Sequence, residues 1–176
     1  MHRSAFSQPF VNSIEQLKSA VHSVLTTPSE IEVTESKLDR MLEIYESKDR
    51  DYSGNKKPME NLRASEEFGI EAWRGVLLRM GDKYRRIKSY EETGTYHVAD
   101  ESVEDTLIDL SNYSILCALL YSECTGVDIR ITSCLHAIAL YSLLVLTGVS
   151  ERPKWRQELE ANFSTIKELA RLGMQD

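Results

Sequence analysis

Twenty consecutive residues, Ile131 to Ser150, carry no formal charge: ITSCLHAIALYSLLVLTGVS. A run of that length cannot lie along a watery surface. It either crosses a bilayer, which takes about 20 mainly apolar residues, or it is buried on most of its sides within a helical assembly. The content decides between the two. His136, several Ser and Thr residues and Gly148 dilute the run, and no Lys/Arg-rich flank follows, only Glu151, Arg152 and Lys154 around Pro153. The stretch therefore predicts a buried bundle helix or a subunit-interface helix, and no membrane partner.

The remaining pattern is also helical, read from the spacing of apolar residues. Val11, Ile14, Leu17, Val21 and Val24 mark a first amphipathic helix ahead of Pro28. Leu38, Met41, Leu42 and Tyr45 share a face of a second, from about Thr34 to Ser47, and Lys48 to Pro58 reads as a polar, turn-prone loop. A third helix spans roughly Ile70 to Ser89, with Trp73, Leu77, Met80, Tyr84 and Ile87 as its stripe. Glu91 to Asp100 reads as a loop, and a fourth helix runs from about Glu101 to Glu123, ahead of Thr125-Gly126. The uncharged run is the fifth. Pro153 opens a sixth that buries Trp155, Leu159, Phe163, Ile166 and Leu169. The fold class is all-α, a bundle of about six helices in one domain over 1–176. Residues 30–124 form a motif-bearing core, with an N-terminal helix in 1–29 and a C-terminal helical extension in 125–176 for packing or oligomerisation.

Charge narrows the partners. With 28 Asp+Glu against 21 Lys+Arg, the net charge of -7 repels phosphate polymers and predicts no nucleic acid partner. Cys117, Cys124 and Cys134 form no CxxC pair, which points to a reducing, cytoplasmic compartment. The first nine residues, MHRSAFSQP, have no apolar core and predict no export signal. No GxGxxG or Walker loop is present, and no Ser, Cys or His has the context of a nucleophilic triad.

Three segments carry candidate chemistry. In the fourth helix Asp105, Asp109 and Asn112 fall within an arc of about 60°, and from Leu107 to Tyr121 that helix is apolar almost all round. Such an arc is either a solvated face or a pair of carboxylates that needs a cation; oxygen ligands one turn apart suit Mg²⁺ or Mn²⁺. In the third helix Arg79, Lys83 and Arg86 share one stripe bordered by Asp82. That stripe is either a ladder of intrahelical salt bridges or a cationic wall for a di- or triphosphate. Asp51-Tyr52-Ser53-Gly54-Asn55 suits a turn, or a Tyr that stacks on a base. His136 reads as a satisfied core residue.

The ordered set DYSGN, RMGDKYRRI and EDTLIDLSNYSI resembles the nucleotide modification associated domain 1 family of all-α phage and bacterial proteins. The likeness rests on Asp51 to Gly54, on Arg79 to Lys83 with Arg86, and on Asp105, Asp109, Asn112 and Tyr113. That family looks like a relative of the MazG-type nucleoside triphosphate pyrophosphatases, which implies a MazG-like core, a nucleotide ligand, a divalent metal and a homo-oligomer. The MazG pattern pairs an ExxE helix with an ExxD helix. Here the RMGDKYRRI helix offers only Asp82, and Asp105 and Asp109 stand four apart. The resemblance implies a pyrophosphohydrolase of (deoxy)nucleoside triphosphates in a bacterial or phage-infected cell. In it Asp105 and Asp109 hold Mg²⁺ and Asp82 assists catalysis. Arg79, Lys83 and Arg86 neutralise the phosphates, Asn112 joins Asp82 as an accessory ligand or water-orienting group, and Asp51, Tyr52 and Asn55 contact the base or sugar. Two other readings stand beside it: a non-catalytic protein that sequesters a modified or signalling nucleotide, and a structural or interaction module.

Overall fold

The computed structural model describes residues 7–53, 60–93, 102–148 and 152–173. Six α-helices account for most of them: α1 (Ser7–Val24), α2 (Pro28–Ser53), α3 (Ala72–Thr93), α4 (Val103–Tyr121), α5 (Ile129–Leu146) and α6 (Arg152–Leu172). Two short 3₁₀ turns, Glu60–Leu62 and Ala64–Phe68, lead into α3. No strand occurs among the described residues. The protein is an all-α bundle.

The helix α4 organises the packing. Its residues are apolar on nearly every side, so it can only sit at the centre, and α3 and α5 lie against it while α6 closes on α5. Helices α3 to α6 alternate in direction. The start of α3 meets the end of α6 where the Arg74 guanidinium donates to the Ala170 carbonyl (2.6 Å), and the end of α3 meets the start of α6 at Arg156–Glu91 (3.0 Å). Midway, the rings of Tyr84 and Phe163 stack at 4.5 Å. Helices α1 and α2 cover the remaining flank of α4 and α5, pinned to each other by Phe10 stacked on Tyr45 at 3.9 Å. One continuous apolar cluster draws on all six helices, from Phe10 to Ala170.

The uncharged run forms α5. It is long and apolar enough to cross a membrane, yet half of it is buried within the protein. A serine contact shows how closely it approaches its neighbour: Ser111 Oγ of α4 donates to the Ala139 carbonyl at 2.9 Å. The helix begins two residues earlier than the uncharged run. Asp128 caps it, accepting from the Arg130 N–H at 2.9 Å, so charged residues belong to its first turn. His136, expected in the core, lies on its exposed side instead, because a helix seated against α4 and α6 still turns one edge to water.

Helix α2 also departs from the sequence reading. It starts at Pro28 and continues through Ser53, so Lys48 to Ser53 are helical rather than a loop. The reason is local. No helix-breaking residue occurs between Pro28 and Gly54, and a polar tail propagates from a packed helix once nucleation is complete. Helix α3 similarly overruns Ser89 to reach Thr93.

The turn ahead of α3 is held by close packing. A Cβ placed on Gly75 would lie 2.5 Å from Ser65 Oγ and 2.8 Å from Ser65 Cβ. Gly75→Ala is therefore expected to destabilise the protein by about 1–2 kcal/mol, the overpacking cost less the gain in helix propensity. At this chain length that lowers Tm by a few degrees, roughly 2–4 °C per kcal/mol. A Tm equal to or above that of the wild type would show that the turn yields freely.

Candidate functional site

The residues singled out on α3 and α4 do not all converge, and their separation follows from helix geometry. Lys83 and Arg79 lie one turn apart, but only Lys83 points toward α4. Its ammonium sits 2.9 Å from Asp109 Oδ2, with the two side chains 14% and 18% exposed. Arg79 is exposed and donates to the Asn61 carbonyl at 3.1 Å, which ties α3 to the preceding 3₁₀ turn. Arg86 is exposed on the outer part of the stripe. Asp82 lies on the water-facing side of α3, paired with Arg85 one turn on.

Asp109 has a second cation. Lys48, carried by the helical extension of α2, reaches its Oδ1 at 3.2 Å, from a side chain 51% exposed. Three helices thus meet at one carboxylate. Lys48 also lies over the Tyr113 ring, 5.9 Å from its centroid. One turn along α4 from Asp109, buried Asn112 donates to the Met41 carbonyl of α2 at 3.1 Å, while its own Oδ1 is buried with no partner among the described residues. A buried acceptor left open costs about 1–3 kcal/mol. The group around Asp109 is therefore built from Lys83, Lys48, Tyr113 and Asn112.

Asp105 stands apart from this group. It is the N3 residue of a capping box: its N–H donates to Ser102 Oγ at 3.0 Å, and its carboxylate accepts the Ser102 N–H at 3.3 Å and the Ser102 hydroxyl at 2.7 Å. These bonds from Ser102 hold its carboxyl below the usual aspartate range, with Arg40 and Lys83 adding weaker attraction. The sequence arc of Asp105, Asp109 and Asn112 is thus divided by depth: an exposed capping residue, a half-buried ion-paired residue and a buried amide.

The fit of a divalent cation follows from this donor set. Among the described residues no three His, Cys, Asp or Glu side chains gather where they could hold a metal. Both oxygens of Asp109 already face ammonium groups, and Asp105 commits one of its two oxygens, Oδ2, to Ser102. As arranged here, the residues suit an anion held by lysines better than a resident Mg²⁺. Asp51 and Tyr52 fall within α2, but their side chains, and Asn55 altogether, lie outside the described residues.

Sequence reasoning missed Lys48, which was assigned to a loop. The signal that could have found it is the absence of Gly and Pro before Gly54, which lets α2 carry Lys48 onto the same flank as Met41 and Tyr45.

The comparisons with known proteins bear on the two helices α3 and α4. Residues 69–121, from the turn ahead of α3 to the last residue of α4, match the family model of nucleotide modification associated domain 1. No curated protein and no solved structure matches the chain. The matched segment contains Lys83, Asp109, Asn112 and Tyr113; Lys48 comes from outside it.

Two stability measurements check the geometry. A double-mutant cycle of Lys83→Met with Asp109→Asn is expected to give a coupling of about 1–2 kcal/mol, because both groups are largely shielded. The half-exposed Lys48 with Asp109 is expected to give less than about 1 kcal/mol. Equal couplings would mean that Lys83 is as solvated as Lys48. Separately, Ser102→Ala is expected to cost about 1 kcal/mol at neutral pH. Since the folded pKa of Asp105 is depressed, its contribution is full above the usual aspartate range and is lost as pH falls through the folded value. The gap between wild type and Ser102→Ala should therefore shrink in acid, as read by denaturant unfolding across pH. A gap that is constant or grows in acid would contradict the capping role.

Proposed function

We propose that this protein binds a nucleotide, with the phosphates received at the Lys48–Asp109–Lys83 cluster. One observation carries the reading: two ammonium groups from different helices are held against a single partly shielded carboxylate. Two of its three members, Lys83 and Asp109, lie within the segment matching a family whose name refers to nucleotide modification. A phosphate oxygen competes with Asp109 for Lys48, the more exposed of the two cations, and each exchange replaces one charge-assisted hydrogen bond with another. Lys83 is pinned by Asp109, so it presents its charge in a fixed place at little entropic cost.

The other roles follow from position. Tyr113, beneath Lys48, offers an aromatic face to a base or sugar. The open Oδ1 of Asn112 suits a donor such as an amino or hydroxyl group, once the Met41 region moves aside to admit it. Arg79 and Arg86 line the outer part of the α3 stripe, where they attract anions from solution. In this reading the protein holds its nucleotide without a built-in metal, as a sequestering protein for a modified or signalling nucleotide would.

Mg²⁺-dependent hydrolysis of a nucleoside triphosphate to monophosphate and pyrophosphate is the competing reading. It is favoured by Asp105 and Asp109, one turn apart on α4. There Asp109 would exchange its lysines for the metal, which would polarise a phosphoryl oxygen when bound.

Calorimetric titration with a panel of nucleoside mono-, di- and triphosphates, with and without Mg²⁺, tests the proposal. Binding is expected without Mg²⁺, weakened about tenfold or more by Lys83→Met and by Lys48→Met, since each removes a charge-assisted contact. Ligand recovered intact by HPLC supports sequestration. Monophosphate and pyrophosphate formed only with Mg²⁺, and lost in Asp109→Ala, would replace it with hydrolysis. No heat and no rise in Tm with any nucleotide would remove both.

A further inference from the structure

At the end of the bundle away from Asp109, four helix termini converge. The start of α3, the end of α4, the start of α5 and the end of α6 are tied together there. Arg74 bonds the Ala170 carbonyl, the rings of Trp73 and Tyr121 meet edge-on at 4.8 Å, and the Tyr121 hydroxyl accepts the Asp128 N–H at 2.8 Å. The turn ahead of α3 joins the same end, since Glu71 Oε1 lies 3.5 Å from Cys124 Sγ and Arg63 grips Glu123 at 2.7 Å. Tyr121 is twelve residues beyond Asp109, about 18 Å along α4.

This end also exposes several large apolar side chains. Phe68 is 80% exposed, Ile129 71% and Leu172 54%, and Ile70 and Val127 are each more than two-fifths exposed. All five sit on the converging segments, whereas the other large exposed apolar residues, Val24, Val33 and Leu78, are scattered over other helices. A cavity of about 350 Å³ opens at the same end; of the five only Leu172 lines it, and Trp73 and Tyr121 share its wall with Arg74 and Asp128. Single exposed apolar side chains are ordinary, but a concentration on one face marks an interaction surface.

We infer that this end is a two-fold interface, and that its occupant is a second copy of the same chain. Area and charge both lead to that occupant. The five side chains leave on the order of 500 Å² of apolar surface, the size of the largest patch on an ordinary monomer. With a polar rim, that approaches the roughly 800 Å² per partner of a standard interface, of which about 60% is apolar.

The charges on the rim come as ion pairs: Arg63 with Glu66 and Glu123, Arg74 with Glu71, and Arg130 with Asp128. A face that carries both signs side by side can meet its own rotated image, each arginine against a carboxylate of the other copy, as an isologous contact requires. The molecule as a whole carries -7 and would repel a copy elsewhere. On this face the signs nearly cancel. The dimer leaves both Asp109 clusters at its outer ends, so it forms whether or not a nucleotide is bound.

Sedimentation velocity of the full chain from about 1 to about 100 µM, the range of an ordinary reversible dimer, tests the inference. A species of twice the 20.1 kDa of one chain is expected. Phe68→Glu/Ile129→Glu and, independently, Leu172→Glu are expected to weaken it at least about tenfold while leaving helical circular dichroism unchanged. Leu78→Glu, an equally exposed apolar position off this face, should leave the dimer intact. A wild type that is monomeric throughout would overturn the inference, as would a dimer indifferent to both face variants or one broken by Leu78→Glu. A monomer that co-sediments with phosphatidylcholine–phosphatidylglycerol vesicles would also overturn it and assign the face to a lipid surface. Nucleotide titrations do not enter these readouts, so this inference and the proposed function fail separately.

Discussion

The structure depends on one constraint: α4 has almost no side that tolerates water. From Thr106 to Tyr121 its side chains are buried with only Asp109, Tyr113 and Leu119 partly open. A helix of that kind cannot form part of a surface layer, so it must be surrounded. Helices α3 and α5 take two of its sides and α2 with α1 takes the third. The remaining elements follow from what those partners themselves need to bury. Helix α6 covers α5 and stacks Phe163 on Tyr84 of α3, which closes the four antiparallel helices into one core.

The same constraint makes Asp109 distinctive. A carboxylate on the outer turn of an ordinary amphipathic helix is solvated and has no consequence. On α4 it emerges at a seam where α2 and α3 both crowd the central helix, and burial without a counter-charge would cost more than the fold can supply. Lys83 and Lys48 meet that need from two directions. On the proposed reading stability and ligand chemistry are coupled here: the groups that neutralise Asp109 in the folded chain are the same groups that would offer charge to a phosphate. Asn112, one turn on, shows the same tension, with its amide N–H used on α2 and its carbonyl oxygen left open.

Much of the fold was legible in the sequence because helical periodicity survives in α1, α2, α3 and α6, while α4 and α5 stand out as nearly continuous apolar runs. Trp73, Leu77, Met80, Tyr84 and Ile87 were read as one stripe; all are buried except Leu77, which is partly so. On α6, Trp155, Leu159, Phe163 and Ile166 are buried as expected, while Leu169 is only partly so. Helix ends were read less well where no Gly or Pro marks them: α2 runs past Ser47 to Ser53, and α3 past Ser89 to Thr93. Within the candidate site, spacing alone placed Asp105, Asp109 and Asn112 together. The two carboxylates nevertheless differ in depth, because Asp105 lies in the first turn, where α4 has just left the solvent and a serine cap competes for its carboxylate.

Sequence alone thus determined that this chain is an all-α bundle containing an almost wholly apolar fourth helix. Burial of apolar residues at a 3.6-residue period is a local code, written into each segment separately. It also singled out α3 and α4, the pair that matches nucleotide modification associated domain 1, as the place to look for chemistry. Only the tertiary structure decided which charges meet. Lys48 and Asp109 are 61 residues apart, and no periodicity relates them. Their contact depends on the crossing of α2 over α4, and a rotation of either helix by one residue, about 100°, would send the lysine into solvent and leave Asp109 with a single partner.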